Sequence, residues 1–162
     1  MEKLIVFDGN SILNRAFYGV RPLSNKEGLP THAVFGFVNI IRRAMQEAGE
    51  NLKYAAIAFD RKEPTFRHKA CDFYKATRKG MPEELAMQLP YAKEVAAAMG
   101  CQVVTLEGYE ADDILGTLSS QCAARDLSAL LLTGDRDALQ LVSDDVTLLL
   151  TRKGISDIEE CT

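Results

Sequence analysis

Short apolar runs alternate with longer helical segments along the chain, and this alternation constrains the fold more than any other feature. Five runs, rich in β-branched, leucine or aromatic residues and bounded by Gly, Asp or Thr, are typical of buried strands. They are residues 4–7, 54–59, 102–106, 129–132 and 146–150. Strands that alternate with helices form βαβ units, in which right-handed crossovers connect parallel strands. The pattern therefore predicts an α/β fold with a mostly parallel central sheet of about five strands.

The segments between these runs have helical periodicity over residues 31–48, 82–99 and 110–125. Helices that connect parallel strands cover both faces of the sheet. Pro82 suits the first turn of its helix, whereas Pro90 lies inside the pattern and is expected to kink or divide it. A chain of 162 residues can bury enough surface for one domain, so we predict a single domain over residues 1–162.

Composition places the chain among ordinary globular proteins, because 47% of its residues are apolar and 26% are charged. It has no apolar run of the roughly 20 residues that a membrane span needs, and no signal-peptide pattern, so we expect a cytoplasmic bacterial protein without a membrane partner. The four cysteines have no C-x-x-C spacing and are interpreted as free thiols. A net charge of −4 argues against a protein that binds nucleic acid over its whole surface.

Residues 61–80 interrupt the alternation with a strongly basic segment. Seven Lys or Arg side chains stand there against Glu63 and Asp72, with Phe66, Phe73 and Tyr74 interleaved. This composition is too polar for a core element, and loops on a rigid scaffold often carry function. The aromatic residues either stack on an unpaired base or simply pack, and Tyr18 has the same two interpretations.

Acidic residues follow the strand candidates at the points where ligands bind open α/β sheets, outside the carboxyl ends of the strands. They are Asp8, Asp60, Glu110, Asp112, Asp113, Asp135 and Asp137. Asp and Glu also serve as helix caps and turn formers, which is the structural alternative for each of them. Seven carboxylates in one crevice would repel one another without cations, and hard oxygen ligands suit Mg²⁺ or Mn²⁺. We therefore predict a divalent metal site in which some of the seven act through water.

Several motifs together resemble the 5′ nuclease domain of bacterial DNA polymerase I, within the flap endonuclease family of PIN-like fold. They are F-D-G-N-S at 7–11, R-A-F at 15–17, A-V-F-G-F at 33–37, F-D at 59–60, T-F-R-H at 65–68, Y-K-A-T-R at 74–78, the acidic stretch 107–113, and T-G-D-R-D at 133–137 with Q-L at 140–141. They occur in the family's order from end to end of the chain.

The resemblance implies a metal-dependent 5′-3′ exonuclease and flap endonuclease that acts on DNA with a 5′ end or flap, in replication and repair. The seven carboxylates would belong to a cluster that binds two Mg²⁺ or Mn²⁺ ions in the complete site, and residues 61–80 would form a basic helical arch above them. Catalytic roles are implied for Lys75, Arg78 and Arg15. DNA contacts are predicted for Arg15, Tyr18, Arg67, His68, Lys69, Lys75, Arg78 and Lys79.

The chain departs from the family's pattern in two ways. Thr77 replaces a usual Asn and Lys69 a common acidic residue, and both keep the segment basic. The family's helix-hairpin-helix region, which grips the duplex and adds aspartates to the second metal, is not present up to Thr162. The polypeptide is then expected to be either a fragment, with polymerase domains possible further along the natural chain, or a stand-alone short form. In both cases we expect these 162 residues alone to be weakly active or inactive.

Three other functions compete with this prediction. An aspartyl-phosphate phosphatase would need a second Asp two residues after Asp8, where Asn10 stands. A catalytically silent nucleic-acid-binding module would gain nothing from an acidic crevice, because its ligand is a polyanion. A PIN-like ribonuclease would use a smaller acidic cluster and would have little need of a long basic arch.

Overall fold

The computed structural model describes residues 2–60, 82–105, 111–151 and 158–161, without the side chains of Asp112, Ile158 and Glu159. Its strands are β1 (Lys3–Asp8), β2 (Leu52–Ala58), β3 (Gln102–Val104), β4 (Ser128–Thr133), β5 (Val146–Thr151) and β6 (Ile158–Cys161). Its helices are α1 (Gly9–Gly19), α2 (His32–Ala48), α3 (Glu83–Ala98), α4 (Ala111–Ala124) and a 3₁₀ helix (Arg136–Leu141). The predicted basic arch lies outside the described residues.

The strands form one sheet in the order β3-β2-β1-β4-β5-β6. The first five are parallel, and β6 pairs antiparallel with β5 at the edge. Strand β1 is therefore central, between β2 and β4, and its register places Asp8 beside Ala58. On its other side Phe7 pairs with Leu132, so the next residue of β4, Thr133, lies level with Asp8. This arrangement confirms the predicted α/β class and mostly parallel sheet.

Side chains of β1 alternate between two separate cores, one on each face of the sheet. Ile5 and Phe7 face the first core, with Phe37 of α2 and with residues of α1 and α3. Val6 faces the second core, with Leu115 of α4 and with residues of β4 and β5. Burying each such side chain contributes about 1.5–3 kcal/mol. Helices thus cover both faces, as the sequence predicts.

The N-terminus of α2 is capped from a neighbouring helix. Thr31, its N-cap residue, makes no side-chain capping bond. The fully buried amide of Gln88 on α3 instead accepts hydrogen bonds from the N–H groups of Ala33 at 2.7 Å and Val34 at 3.1 Å. These are N–H groups that lack a partner within the helix itself. Gln88 also donates to the carbonyl of Glu84, which fixes the amide on α3 and so holds α3 against α2.

Three details correct the sequence predictions. The sheet has six strands in the described part rather than five, because Ile158–Cys161, a charged edge strand without an apolar run, adds to β5. Helix α1 was not predicted, because it begins directly at the end of β1 without a connecting loop. Of the two expectations for Pro90, division of the helix is wrong, because the helix runs unbroken from Glu83 to Ala98 with Pro90 exposed to solvent, and the kink stays a prediction.

The cysteines that the structure describes, Cys101, Cys122 and Cys161, are free thiols, as predicted. Burial raises the pKa of the Cys101 thiol to about 11, so this side chain behaves as a small apolar core residue. Among the described helices, none is both long and apolar enough to cross a membrane.

Candidate metal centre

Three aspartates lie at the carboxyl ends of three neighbouring parallel strands. Asp8 is the last residue of central strand β1, whereas Asp60 and Asp135 each lie two residues beyond the ends of β2 and β4. Because Ala58 and Thr133 are level with Asp8, the two outer aspartates stand at equivalent positions on either side of it. We call Asp8, Asp60 and Asp135 the carboxyl-edge triad.

Asp8 is the buried member of this triad, with 7% of its surface exposed. Its Oδ1 accepts a hydrogen bond from the N–H of Ser11 at 3.2 Å, which caps the start of α1. Its Oδ2 accepts a hydrogen bond from the hydroxyl of Thr133 at 2.8 Å. A buried carboxylate needs such donors, because water does not solvate it there. The two bonds orient the carboxylate between α1 and β4.

Asp135 is held by the turn that follows β4. Its N–H donates to the hydroxyl of Thr133 at 3.1 Å, and its Oδ1 accepts from the N–H of Asp137 at 2.9 Å. The second bond caps the 3₁₀ helix. The preceding residue, Gly134, donates its N–H to the hydroxyl of Ser11 at 2.7 Å. A Cβ at Gly134 would lie 2.9 Å from Thr151 Oγ1 and 3.0 Å from Ser11 Oγ, so an alanine there would crowd both hydroxyls.

Asp60 is held from two other elements. Its N–H donates to the side-chain oxygen of Asn10 at 2.7 Å, and its Oδ1 accepts from the N–H of Ala111 at 2.6 Å. Ala111 begins α4, where main-chain N–H groups lack partners within the helix and favour a carboxylate. The half-buried Asp60 therefore links β2, α1 and α4 at this edge.

Asp8 and Asp135 each cap a helix, as the structural alternative predicts, and each also stands at the carboxyl edge. A carboxylate has about four lone-pair positions, so a capping bond does not prevent it from binding a cation. The donor set therefore fits a hard divalent ion in its chemistry. Among the described residues, however, no three His, Cys, Asp or Glu side chains are grouped closely enough to hold a metal ion by themselves.

The other four predicted ligands are not placed in the triad. Asp113 is half-buried in the first turn of α4, and Asp137 is exposed on the 3₁₀ helix. Glu110 and the side chain of Asp112 lie outside the described residues. The complete seven-carboxylate cluster consequently stays a prediction.

Two predicted DNA-binding residues are described by the structure, and both are on α1. The guanidinium of Arg15 is half-buried and donates from Nη2 to the main-chain carbonyl of Thr151 at 3.1 Å, beside Gly134 at the carboxyl edge. Tyr18 is 70% exposed and packs edge-to-face on Phe17. The remaining predicted contacts lie outside the described residues; they are Arg67, His68, Lys69, Lys75, Arg78 and Lys79.

Sequence analysis missed the polar residues that support the triad, namely Asn10, Ser11 and Thr133. Each lies close to a predicted aspartate in sequence, but it also bonds a segment that is far away: 50 residues separate Asn10 from Asp60, and 125 separate Thr133 from Asp8. Small polar residues beside strand-end aspartates are the signal that could have pointed to them.

Comparison with known proteins agrees with this architecture. A protein-family model, described as the 5′-3′ exonuclease N-terminal, resolvase-like domain, matches residues 3–162. The chain belongs to this exonuclease-domain family. One relative of this exonuclease domain, DNA polymerase I of Caldicellulosiruptor bescii, is 42% identical over 146 residues, which is 90% of the chain but 17% of that protein. The chain thus spans about a sixth of that polymerase's length.

Solved structures share the exonuclease-domain fold at low sequence identity. The bacteriophage T5 5′-exonuclease with bound zinc superposes with a TM-score of 0.68 at 19% identity, covering 92% of this chain and 55% of that one. A flap endonuclease of the same phage, in a pseudo-enzyme-product complex with DNA and metal ions, gives a TM-score of 0.65 at 18% identity, over 92% and 55% of the two chains.

Proposed function

We propose that the chain is the metal-binding part of a 5′ nuclease that hydrolyses DNA phosphodiesters, as a 5′-3′ exonuclease and flap endonuclease in replication and repair. The observation that carries the proposal is the carboxyl-edge triad, three aspartates from three adjacent parallel strands of one sheet. Membership of the exonuclease-domain family supports it, as do the metal ions and DNA bound by T5 proteins of the same fold.

Divalent cations are the cofactor that these residues suit best. Carboxylate oxygens are the ligands preferred by Mg²⁺ and Mn²⁺, and the proposed complete site holds two such ions. Bound there, they would supply an activated water and charge stabilisation for the scissile phosphate. The residues that would bind the ions directly are Asp8, Asp60 and Asp135. The remaining predicted ligands would bind directly or through water; they are Asp113, Asp137, Glu110 and Asp112.

The remaining functional groups act on the DNA itself. The guanidinium of Arg15 is fixed at the carboxyl edge by the carbonyl of Thr151, and a planar cation there can hold a phosphate oxygen. Residues 61–80 carry the basic charge that would bind the 5′ strand, and Lys75 and Arg78 would contact phosphate around the scissile bond. Tyr18 presents an exposed ring that an unpaired base could stack on.

Cleavage assays with the full-length protein that carries this chain test the proposal. A 5′-flap DNA and a single-stranded RNA of the same sequence are incubated with Mg²⁺, with Mn²⁺ and with EDTA. We expect metal-dependent cleavage of the flap DNA. Preferential cleavage of RNA would favour a PIN-like ribonuclease, and binding without cleavage of either would favour a silent binding module.

The same assay on the isolated 162 residues addresses how much of the site they contain. We expect turnover well below that of the full-length protein, because the described residues bring no three metal-binding side chains close enough together to hold an ion by themselves. Equal turnover by both proteins would show that the shorter chain already forms a complete active site.

A further inference from the structure

We propose that Thr133 and Ser11 are positioning residues that hold the carboxylate of Asp8 in a fixed relation to the main chain that presents Asp135. The inference rests on the proposed function, and it concerns how the chain prepares its metal ligands. Neither residue need contact a metal ion or DNA for this role.

A single hydroxyl joins the two ligand residues. Thr133 Oγ1 donates its one hydrogen to Asp8 Oδ2 at 2.8 Å and accepts the N–H of Asp135 at 3.1 Å. The one donor of a threonine hydroxyl is thereby used, which fixes the rotamer of Thr133 and the direction of its bond to Asp8. Any displacement of Asp8 relative to the Asp135 main chain must break or lengthen one of these bonds.

Ser11 provides a second link between the same two segments. Its N–H donates to Asp8 Oδ1 at 3.2 Å, and its Oγ accepts the N–H of Gly134 at 2.7 Å. The N–H groups of Gly134 and Asp135 are therefore both held by side-chain hydroxyls, one from α1 and one from β4. The turn that presents Asp135 is tied to the carboxylate of Asp8 along two separate paths.

Burial makes these bonds hard to replace. Thr133 is 1% exposed, so solvent cannot substitute for its hydroxyl if that hydroxyl is removed. Partners that orient metal ligands by hydrogen bonds usually change metal affinity by about 10–100-fold when they are lost. Thr133 has the geometry of such a partner for two ligand residues at once.

A neighbouring threonine supplies a matched control. Thr151 ends strand β5 beside β4 and is 3% exposed, and its Oγ1 has no hydrogen-bond partner within the described structure. The substitutions Thr133→Val and Thr151→Val each remove one threonine hydroxyl. The two threonines lie at the ends of adjacent strands and are similarly buried. Only the first substitution breaks bonds to the triad.

The test measures Mn²⁺ binding to the chain by the electron paramagnetic resonance signal of free Mn²⁺, for wild type, Thr133→Val, Thr133→Ser and Thr151→Val. We expect Thr133→Val to lower the Mn²⁺ affinity by about 10–100-fold. Thr133→Ser, which keeps the hydroxyl, should restore most of the affinity, and Thr151→Val should bind like wild type. Ser11→Ala should weaken binding as well, and it serves as the second variant if circular dichroism shows that Thr133→Val is unfolded.

The outcomes separate this inference from the proposed function. Wild-type affinity in both Thr133→Val and Ser11→Ala, with wild type binding Mn²⁺, would overturn the positioning role and leave the metal site standing. Equal losses in Thr133→Val and Thr133→Ser would also overturn it, because the hydroxyl would then not be the group that matters. Absence of Mn²⁺ binding by wild type itself would overturn both.

Discussion

The two sides of the carboxyl edge hold their aspartates by different means. On the β4 side, Asp8 and Asp135 are joined through the hydroxyls of Thr133 and Ser11. On the β2 side, Asp60 is held by the main-chain N–H of Ala111 and by Asn10. The main-chain bond from Ala111 survives most substitutions, whereas each bond made by Thr133, Ser11 or Asn10 depends on one side chain. The β4 side therefore offers two residues, and the β2 side one, whose substitution separates the positioning of a ligand from the ligand itself.

Removing a ligand should have the largest effect, and it should be similar on both sides. For Asp135→Ala and Asp60→Ala in the full-length protein, we expect cleavage of 5′-flap DNA to slow by about 10³-fold, which corresponds to about 4 kcal/mol of lost charge stabilisation. Asp112→Ala should behave likewise. Single-turnover kinetics measures this, with Asp144→Ala as an exposed acidic control that should stay within about twofold of wild type.

The structure also predicts that these variants are not equally stable. Asp135→Ala loses the cap of the 3₁₀ helix, at about 1 kcal/mol, and Asp60→Ala leaves the buried N–H of Ala111 unpaired, at about 1–3 kcal/mol. Urea unfolding without metal checks both values.

Cleavage at the wild-type rate by either variant would show that its aspartate is not a ligand.

Each side of the carboxyl edge has a glycine that packs closely against a side chain, namely Gly9 against Phe59 on the β2 side and Gly134 against Thr151 on the β4 side. A Cβ at Gly9 would lie 2.5 Å from the ring of Phe59, and one at Gly134 would lie 2.9 Å from Thr151 Oγ1 and 3.0 Å from Ser11 Oγ. We expect each Gly→Ala substitution to lower the free energy of unfolding by about 1–3 kcal/mol, with Gly9→Ala the larger because the Phe59 ring is buried and rigid.

A double-mutant cycle sharpens this prediction on the β4 side. Thr151→Ala removes one of the two oxygens that a Cβ at residue 134 would meet, so it should recover part of the loss caused by Gly134→Ala. Urea unfolding of the single and double variants measures the coupling. Purely additive losses would mean that the strain at this glycine has another cause.

The smallest expected effect comes from Asn10→Ala, which frees the N–H of Asp60 and should lower the free energy of unfolding by about 1–2 kcal/mol. Gln88→Ala is the matched amide substitution away from the carboxyl edge, and it frees the N–H groups of Ala33 and Val34. Because Gln88 is fully buried, its loss should be larger, at about 2–5 kcal/mol. Only Asn10→Ala should also weaken Mn²⁺ binding, because the bonds of Gln88 join α2 and α3. Equal Mn²⁺ affinities in the two variants would contradict the role of Asn10 in holding Asp60.

Much of the fold was predictable from local patterns. Each end of the five parallel strands lies within about two residues of the corresponding end of a predicted apolar run. The agreement is close because strands buried on both faces are nearly continuous apolar segments. Helix α1 was missed although its buried residues Ile12, Leu13 and Ala16 have helical spacing, because Asp8 both ends β1 and caps α1 without an intervening turn. Strand β6 forms by pairing with the free edge of β5. The charged sequence of β6 does not by itself indicate a strand.

The placement of three aspartates at one edge of the sheet was predictable, but the bonds that hold them were not. The crevice rule for parallel sheets was enough to bring Asp8, Asp60 and Asp135 to one edge. The bonds that fix them depend on register between β1 and β4 and on the packing of α1, and these join residues up to 125 positions apart. A pattern within one segment carries no such information.

Binding of divalent cations at the carboxyl edge is measured by thermal unfolding of the chain in a titration of Mg²⁺ or Mn²⁺, with Ca²⁺ and matched monovalent salt as controls. A ligand at about 100 times its Kd stabilises the native state by about 2.7 kcal/mol, which raises Tm by roughly 5–10 °C in a domain of this size. We predict such a rise in wild type and its loss in Asp135→Ala. An unchanged Tm of the wild-type chain at millimolar Mg²⁺ and Mn²⁺ would contradict divalent-cation binding at this edge.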